Sequence, residues 1–237
     1  MEELSRVTQL KADIPDIFKE ISDIKESFAY LFVGHWLQGE LGHDRKDIGM
    51  TIKSFCHAFS NEKQKPALVL KTSSAGFGVR DREDMAGRIE SLTKEFGDKC
   101  PSIYLLHGEF TEDEMHGLYE HPKVKAMVSF THGEGFGRPL LEFSLTGKPV
   151  IASNWSGHLD FLKPEFTTLI NGTLTPVHPS AANQFLLSDS QWFSPDHGQI
   201  GFALKDVYEN YKNYTDKGKR QAFKSKNEFS WDKMAEK

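Results

Sequence analysis

Three glycines and two carboxylates fall within one short stretch, Val128-Ser129-Phe130-Thr131-His132-Gly133-Glu134-Gly135-Phe136-Gly137-Arg138-Pro139-Leu140-Leu141-Glu142. Gly133, Gly135 and Gly137 permit backbone angles that other residues resist and let a ligand approach the main chain closely. Glu134 and Glu142 bracket the turn, with seven residues between them. An ionised carboxylate accepts hydrogen bonds and can hold a vicinal diol, and a helix opening at Pro139 offers its positive end to an anion. Carboxylates flanking an anion site suit a ligand with hydroxyls at both ends and phosphate in the middle, which is the layout of a nucleotide sugar. The plainer alternatives are a tight strand-to-helix connection for the glycines, a solvated loop for Glu134, and favourable dipole placement in a first helical turn for Glu142.

Such a loop needs a strand before it and a helix after it. Apolar runs at Phe28–Val33, Ala67–Leu70, Ile103–Leu106, Val124–Phe130 and Val150–Ala152 read as strands. Stretches with helical spacing lie between them, at Asp47–Phe59, Arg82–Phe96, Thr111–Glu120 and Pro139–Thr146. Runs without polar alternation suit parallel strands covered on both faces, so the fold class is α/β, a Rossmann-like doubly wound parallel sheet. In such sheets ligands bind beyond the carboxyl ends of the strands. Thr111-Glu112-Asp113-Glu114 is a capping box, Pro139 fits a first helical position, and Gly147 before Lys148-Pro149 fits a helix stop. Residues 1–27 carry a weak helical pattern and Pro15 but no strand, and read as a linker or packing helix before a domain over residues 28–237. From Ala181 the chain reads as helical, with Ile200, Leu204, Val207 and Tyr211 at helical spacing, and Lys217–Lys226 reads as a solvated helix face.

With 237 residues the chain can bury a full core without staples. The balance of 29 Lys and Arg against 34 Asp and Glu, net −5, lacks the broad positive field of a nucleic-acid binder, so any anionic partner is met locally. Apolar stretches fall far short of a membrane span, and the acidic start Met1-Glu2-Glu3-Leu4 has no signal pattern, so a cytoplasmic protein is expected, with transient membrane contact open. Cys56 and Cys100 are too few for a disulfide framework and read as two reduced thiols in or near a core. His107, His116, His121 and His158 show no metal spacing.

The run Glu134-Gly135-Phe136-Gly137 through Pro139 to Glu142, followed by Gly147-Lys148-Pro149-Val150-Ile151-Ala152-Ser153 and Gly157, resembles the Glu-x7-Glu signature of retaining glycosyltransferases of the GT-B fold, family four in particular. Similarity extends from Phe32-Val33-Gly34 through Lys46 and Ile52-Lys53-Ser54-Phe55 to Gly108 and Phe229-Ser230-Trp231, covering about Phe28 to Ala235. That is the family's C-terminal, donor-binding half.

The resemblance implies that Glu134 contacts hydroxyls of the transferred sugar, Glu142 the nucleotide ribose, and the Gly135–Gly137 backbone, Phe136 included, the sugar and diphosphate. Gly133 opens the same loop. The family uses a basic pair for the diphosphate: Lys46 matches its second member, whereas the first, after the glycine matched by Gly34, is His35 here. Arg45 is positioned to compensate, because cations at the start of a helix are mildly disfavoured unless an anion is bound; an exposed basic pair is the alternative. Lys71 ends a strand at the ligand edge and is a further phosphate candidate. Arg138 replaces the usual apolar residue before the motif's proline and either adds charge for phosphate or pairs with a carboxylate. Gly108-Glu109-Phe110 matches the region that meets the base, with Phe110 either stacking on it or anchoring the next helix. His132 is read as a loop residue near the donor rather than a general base.

The expected function is transfer of a sugar from a nucleoside-diphosphate sugar to an acceptor (a glycan, lipid-linked or protein) with retention and without a metal. No acceptor-binding half is legible before Phe28, so the chain reads as an excised donor domain, a subunit that pairs with a separate acceptor-domain partner, or a minimal enzyme. The rival is a module that binds a nucleotide or nucleotide sugar without turnover.

Overall fold

The structure, a computed structural model, describes residues 7–10, 17–37, 39–74, 76–184 and 186–235; the acidic start and Pro15 lie outside them. The chain begins with β1 (Val7–Leu10), α1 (Ile17–Ser22), β2 (Ala29–Val33), α2 (Ile48–Phe59), β3 (Ala67–Lys71), α3 (Val79–Thr93) and β4 (Ile103–Leu106). It continues through α4 (Glu112–Glu120), β5 (Val124–Ser129), α5 (Arg138–Ser144), β6 (Val150–Ser153) and β7 (Thr168–Ile170). A hairpin of β8 (Gly172–Pro176) and β9 (Gln191–Pro195) follows, then α6 (His197–Glu209), α7 (Tyr211–Glu228) and α8 (Trp231–Ala235).

Seven strands form one parallel sheet in the order β1-β4-β3-β2-β5-β6-β7. From β2 the chain winds outward through β3 and β4, then returns to place β5 on the other side of β2. The loops after β2 and β5 therefore part company at the sheet's carboxyl edge, the topological switch point where open α/β sheets hold ligands.

The strands are apolar on both faces because helices cover both. Tyr30, Phe32, Leu68 and Leu70 pack with Ile52, Phe55 and Phe59 of α2, Ile89 of α3 and Leu204 of α6. The alternate positions Ala29, Leu31, Ala67 and Val69 pack with Ile21 of α1, Leu118 of α4 and Phe143 of α5. Tyr30 is fully buried, and its hydroxyl donates to the Leu204 carbonyl at 2.6 Å, so the one polar atom of this ring is satisfied. The capping box forms as expected: Thr111 Oγ1 accepts the Glu114 N–H and Glu114 accepts the Thr111 N–H. Cys56 and Cys100 are buried thiols not joined in a disulfide, with sulfurs 3.8 Å apart.

Three expectations need correction. The stretch 1–27 contains a strand, β1, paired in register with β4 from Val7 opposite Ile103 to Leu10 opposite Leu106. In the same stretch Ile21 and Ile24 are buried in the core, so its helix packs as part of the sheet's body. The chain is not helical from Ala181. A single 3-10 turn at Pro179–Ala181 gives way to β9, and the helix opens only at His197, capped by Asp196, whose carboxylate accepts the Gly198 and Gln199 N–H groups. Glu142 is the fifth residue of α5 rather than part of its first turn.

Candidate functional site

Helix α2 begins just after Arg45-Lys46, and the glycine loop begins just after β5; because β2 and β5 are neighbours, the two segments meet. Lys46 Nζ donates to Glu134 Oε1, and Arg45 Nη1 lies 3.7 Å from Glu134 Oε2. The Glu134 and Lys46 side chains are only 9% and 10% exposed, so this is a shielded ion pair and not a solvated loop. Burial pulls the Lys46 ammonium below its ordinary pKa while Glu134 pushes it back up. The guanidinium of Arg45 also donates to the Gly133 carbonyl at 3.0 Å.

Main-chain bonds hold the two segments in this relation. The Arg45 carbonyl accepts the His132 N–H and the Thr131 hydroxyl, each at 3.0 Å. Thr131 is buried, and its hydroxyl is the crosslink between the basic pair and the glycine loop. Behind the loop, the Glu134 carbonyl accepts the Gly157 N–H at 3.0 Å and the Ser156 hydroxyl at 2.6 Å, and Ser156 Oγ accepts the Glu134 N–H. A Cβ at Gly157 would fall on the Gly135 carbonyl oxygen, so this close approach requires glycine. Ser156 itself adopts a positive φ of 85° to make these bonds.

Gly137 caps α5 with φ 86°, and a Cβ there would press on His158 Cβ at 3.1 Å. His158 is fully buried, its Nε2 meeting the Ser153 carbonyl at 2.7 Å; burial lowers its pKa. Phe136 is partly exposed and its ring tilts against Phe161 at 5.3 Å. Gly34 closes the other side of the crevice: a Cβ there would meet Lys46 Cε at 3.3 Å, and its N–H donates to the Lys71 carbonyl.

Glu142 and Arg138 make a separate pair. Arg138 Nε donates to Glu142 Oε1 at 2.5 Å, with Tyr119 of α4 donating to the other carboxylate oxygen at 3.3 Å. Arg138 is 71% exposed and also lies 3.6 Å from Glu112. Of the two sequence readings for Arg138, the carboxylate pair is the one formed.

A third cluster sits at the ends of β3 and β4. Lys71 Nζ donates to the Gly108 carbonyl at 2.6 Å and lies 4.3 Å from the Phe110 ring centroid and 5.8 Å from that of Phe77. Burial lowers Lys71 to about 8. Phe110 packs partly into the core and also faces this cation, so the anchor role and the edge position coexist. His35 is exposed, its ring nitrogen 3.2 Å from Ser73 Oγ, on the β3 side of the crevice.

His132 lies in the loop, and its side chain is fixed there. It is buried, stacked on Trp192 of β9, with its ring nitrogens 2.6 Å from the Phe193 carbonyl and 3.1 Å from that of Gly42. Two buried acids also escape the motifs. Asp44 accepts the Ile48 N–H at the start of α2, and burial raises its pKa to about 6. Asp47 adopts φ 52° and accepts from His197 Nε2 at 2.9 Å.

No family model and no curated sequence matches the chain. Solved structures do match. Sucrose-phosphate synthase from Thermosynechococcus elongatus superposes with a TM-score of 0.61 at 20% identity, over 94% of this chain and 46% of that one. The C-terminal domain of the glycosyl transferase group 1 family protein LpcC from Francisella tularensis gives 0.61 at 16% identity, over 90% of this chain and 92% of that domain. HepE from Anabaena, in complex with UDP and glucose, gives 0.59 at 12% identity, over 96% and 52%. The chain thus spans about half the length of the synthase and of HepE, and nearly all of the LpcC domain. A parallel sheet whose switch point gathers a basic pair, a glycine loop and a carboxylate is, in its backbone, the fold of a Rossmann-like half-domain of the GT-B glycosyltransferase type.

Proposed function

We propose that this chain binds a nucleoside-diphosphate sugar and transfers its sugar to an acceptor with retention of configuration. The convergence of Arg45 and Lys46 on Glu134 at the switch point carries the reading. One shielded carboxylate and two cations at this edge match the hydroxyls of a sugar and the charge of a diphosphate. The matched HepE structure, which holds UDP and glucose, supports a nucleotide-sugar ligand.

On binding, sugar hydroxyls take over the Glu134 carboxylate while the diphosphate takes over Lys46 and Arg45. The bond from the anomeric carbon to the β-phosphate oxygen breaks, a bond to the acceptor oxygen forms on the same face, and the acceptor proton passes to the departing phosphate. The two cations stabilise that leaving group; the protein's contribution is positioning and preorganised charge. Glu142, held by Arg138 and Tyr119, takes the ribose hydroxyls. Gly108, Phe110 and Lys71 border the base side, and Gly133, Gly135, Phe136 and Gly137 border the sugar and diphosphate. Since the chain spans about half of the synthase and of HepE, the acceptor site belongs to a second domain or a partner chain.

The test is thermal unfolding against UDP, GDP, ADP and their common sugar conjugates, for wild type and Glu142→Ala. A ligand at about 100 times its Kd stabilises by about 2.7 kcal/mol, roughly 5–10 °C at this size. One nucleotide shifting wild type and not the variant supports the donor site; no shift with any of them in a folded sample overturns it. Sugar transfer or release, followed by NMR of the product anomer, separates turnover from binding.

A further inference from the structure

Helix α7 concentrates charge of one sign. Its 18 residues hold Lys212, Lys217, Lys219, Arg220, Lys224 and Lys226 against Asp216 and Glu228, a net of +4 in a chain of net −5, so all other residues together carry −9. We propose that the outward face of this helix docks on an anionic lipid bilayer, its cations meeting the headgroups and Phe223 entering the boundary with the acyl chains.

Packing decides which face of α7 is outward. Gly218, Gln221 and Ser225 are its buried positions. A Cβ at Gly218 would strike the Gly147 carbonyl, the Gln221 amide donates to the Phe161 carbonyl at 2.7 Å, and Ser225 Oγ lies 2.9 Å from Ser144 Oγ of α5. These contacts fix the rotation of the helix about its axis. Lys212, Lys219 and Lys226 are exposed and recur every seven residues, which keeps them in one row along the helix. Phe223, four residues after Lys219 and three before Lys226, stands beside that row and is 74% exposed.

The ring is not an isolated surface aromatic. Phe223 and the half-buried Phe166 line one cavity of about 480 Å³, with Lys219, Arg220 and Lys224 among its walls. Apolar rings set among lysines and arginines on a projecting helix are the composition of elements that lie in a membrane interface. Most of the cations are available for it. Among the described residues no carboxylate pairs with Lys212, Lys217, Arg220 or Lys226, while Glu228 holds Lys224 at 2.5 Å. Asp216 stands 4.0 Å from Lys219, and such an exposed pair is worth little.

The spread of the charges selects the partner. From Lys212 to Lys226 the helix rises about 21 Å, and none of its cations is buried, so they cannot converge on one phosphate. A plane of anionic headgroups meets them all, each Lys or Arg near such a surface strengthening binding about fivefold. A nucleic acid offers charge alone against a chain that is otherwise acidic, whereas the bilayer also takes up the ring and fills the cavity beside it. Cations and ring are two signals, and together they give reversible docking that salt weakens.

The experiment sediments the whole chain with vesicles of phosphatidylcholine alone and of phosphatidylcholine mixed with phosphatidylserine. The expected result is co-sedimentation with the mixed vesicles only, released by salt. Lys219→Gln combined with Arg220→Gln should lower the partition about 25-fold, at about fivefold for each cation, and Phe223→Ser should lower it at least about tenfold. All three positions are exposed, and circular dichroism checks that the variants fold. In Phe223→Trp the added emission should be quenched by brominated lipid in the mixed vesicles. The proposal is overturned by folded wild type that stays in the supernatant, by equal binding to both vesicles, by variants that bind as wild type does, by emission that brominated lipid leaves unquenched, or by capture of single-stranded RNA in place of vesicles. Nucleotide sugar plays no part in this assay, so its outcome is independent of the donor-site reading.

Discussion

Trp192 lies face to face with His132, ring centroids 4.0 Å apart and planes at 13°. The carbonyl of the next residue, Phe193, meets the His132 ring at 2.6 Å and accepts nothing less than the glycine loop's first anchoring side chain. The hairpin is therefore the wall against which the loop is set. Trp192→Ala should cost about 3–5 kcal/mol, about 6–20 °C in Tm, and should weaken nucleotide binding as well. Calorimetry and a nucleotide titration check this; a variant with wild-type stability would show that the hairpin is an independent appendage.

Glu134→Gln keeps the shape of the side chain and removes its charge, which frees Lys46 and Arg45 from their partner. Binding of a nucleoside diphosphate without its sugar should strengthen or hold, while sugar transfer should fall by at least about 100-fold, since stabilisation of this kind is worth that much. The two readouts, taken together by calorimetry and product NMR, separate a sugar-binding carboxylate from a merely structural one.

Gly157→Ala should disturb the loop from behind, because the added methyl collides with the Gly135 carbonyl. Overpacking of this kind costs about 1–3 kcal/mol, and donor affinity should drop with it. A denaturant midpoint together with a nucleotide Kd reads both effects.

The bond from Asp47 raises the pKa of His197, with the Asp196 charge adding to it. A group raised on folding stabilises below its unfolded pKa, about 6.5, and that contribution is lost as pH rises through the folded value. The stability difference between wild type and His197→Gln should thus be larger at about pH 5.5 than at about pH 9. Urea unfolding at the two pH values measures it.

Lys71 and Lys148 are both lowered to about 8 by burial. In protein methylated with ¹³C on its lysines, two resonances should titrate near that value, one vanishing in Lys71→Arg. Only the Lys71 resonance should move when nucleotide is added, since Lys148 is engaged by the Tyr119 and His121 carbonyls.

Much of this was legible where a residue's own chemistry sets its structure. Strands β2 to β6 announce themselves as apolar runs because both of their faces are covered, and the box at Thr111 and Glu114 is a purely local device. The glycine loop and Glu134 could be placed on one edge for the same reason, whereas Lys46 was implied by the family resemblance. The strands β1, β7, β8 and β9 could not. β7 has three residues and β8 is mostly exposed, so backbone pairing rather than hydrophobic period makes them strands. Asp44, Asp47 and His132 gained their roles from burial by distant segments; the Asp47 partner His197 lies 150 residues away. Glu142 falls just outside the first turn because α5 opens at Arg138, one residue before Pro139, and the side chain there, together with Tyr119, takes the carboxylate that the helix end does not.

The pairing of Lys46 with Glu134 turns occupancy of the crevice into an exchange. Without ligand Lys46 is already neutralised by Glu134, so a small anion that draws Lys46 away must separate the pair and leave a shielded carboxylate bare. A ligand that brings both an anion and hydroxyls satisfies the two partners at once. In a cell crowded with phosphate and spent nucleotide, the proposed donor site would therefore discriminate by completeness: the intact donor displaces the internal pair, and its fragments compete poorly.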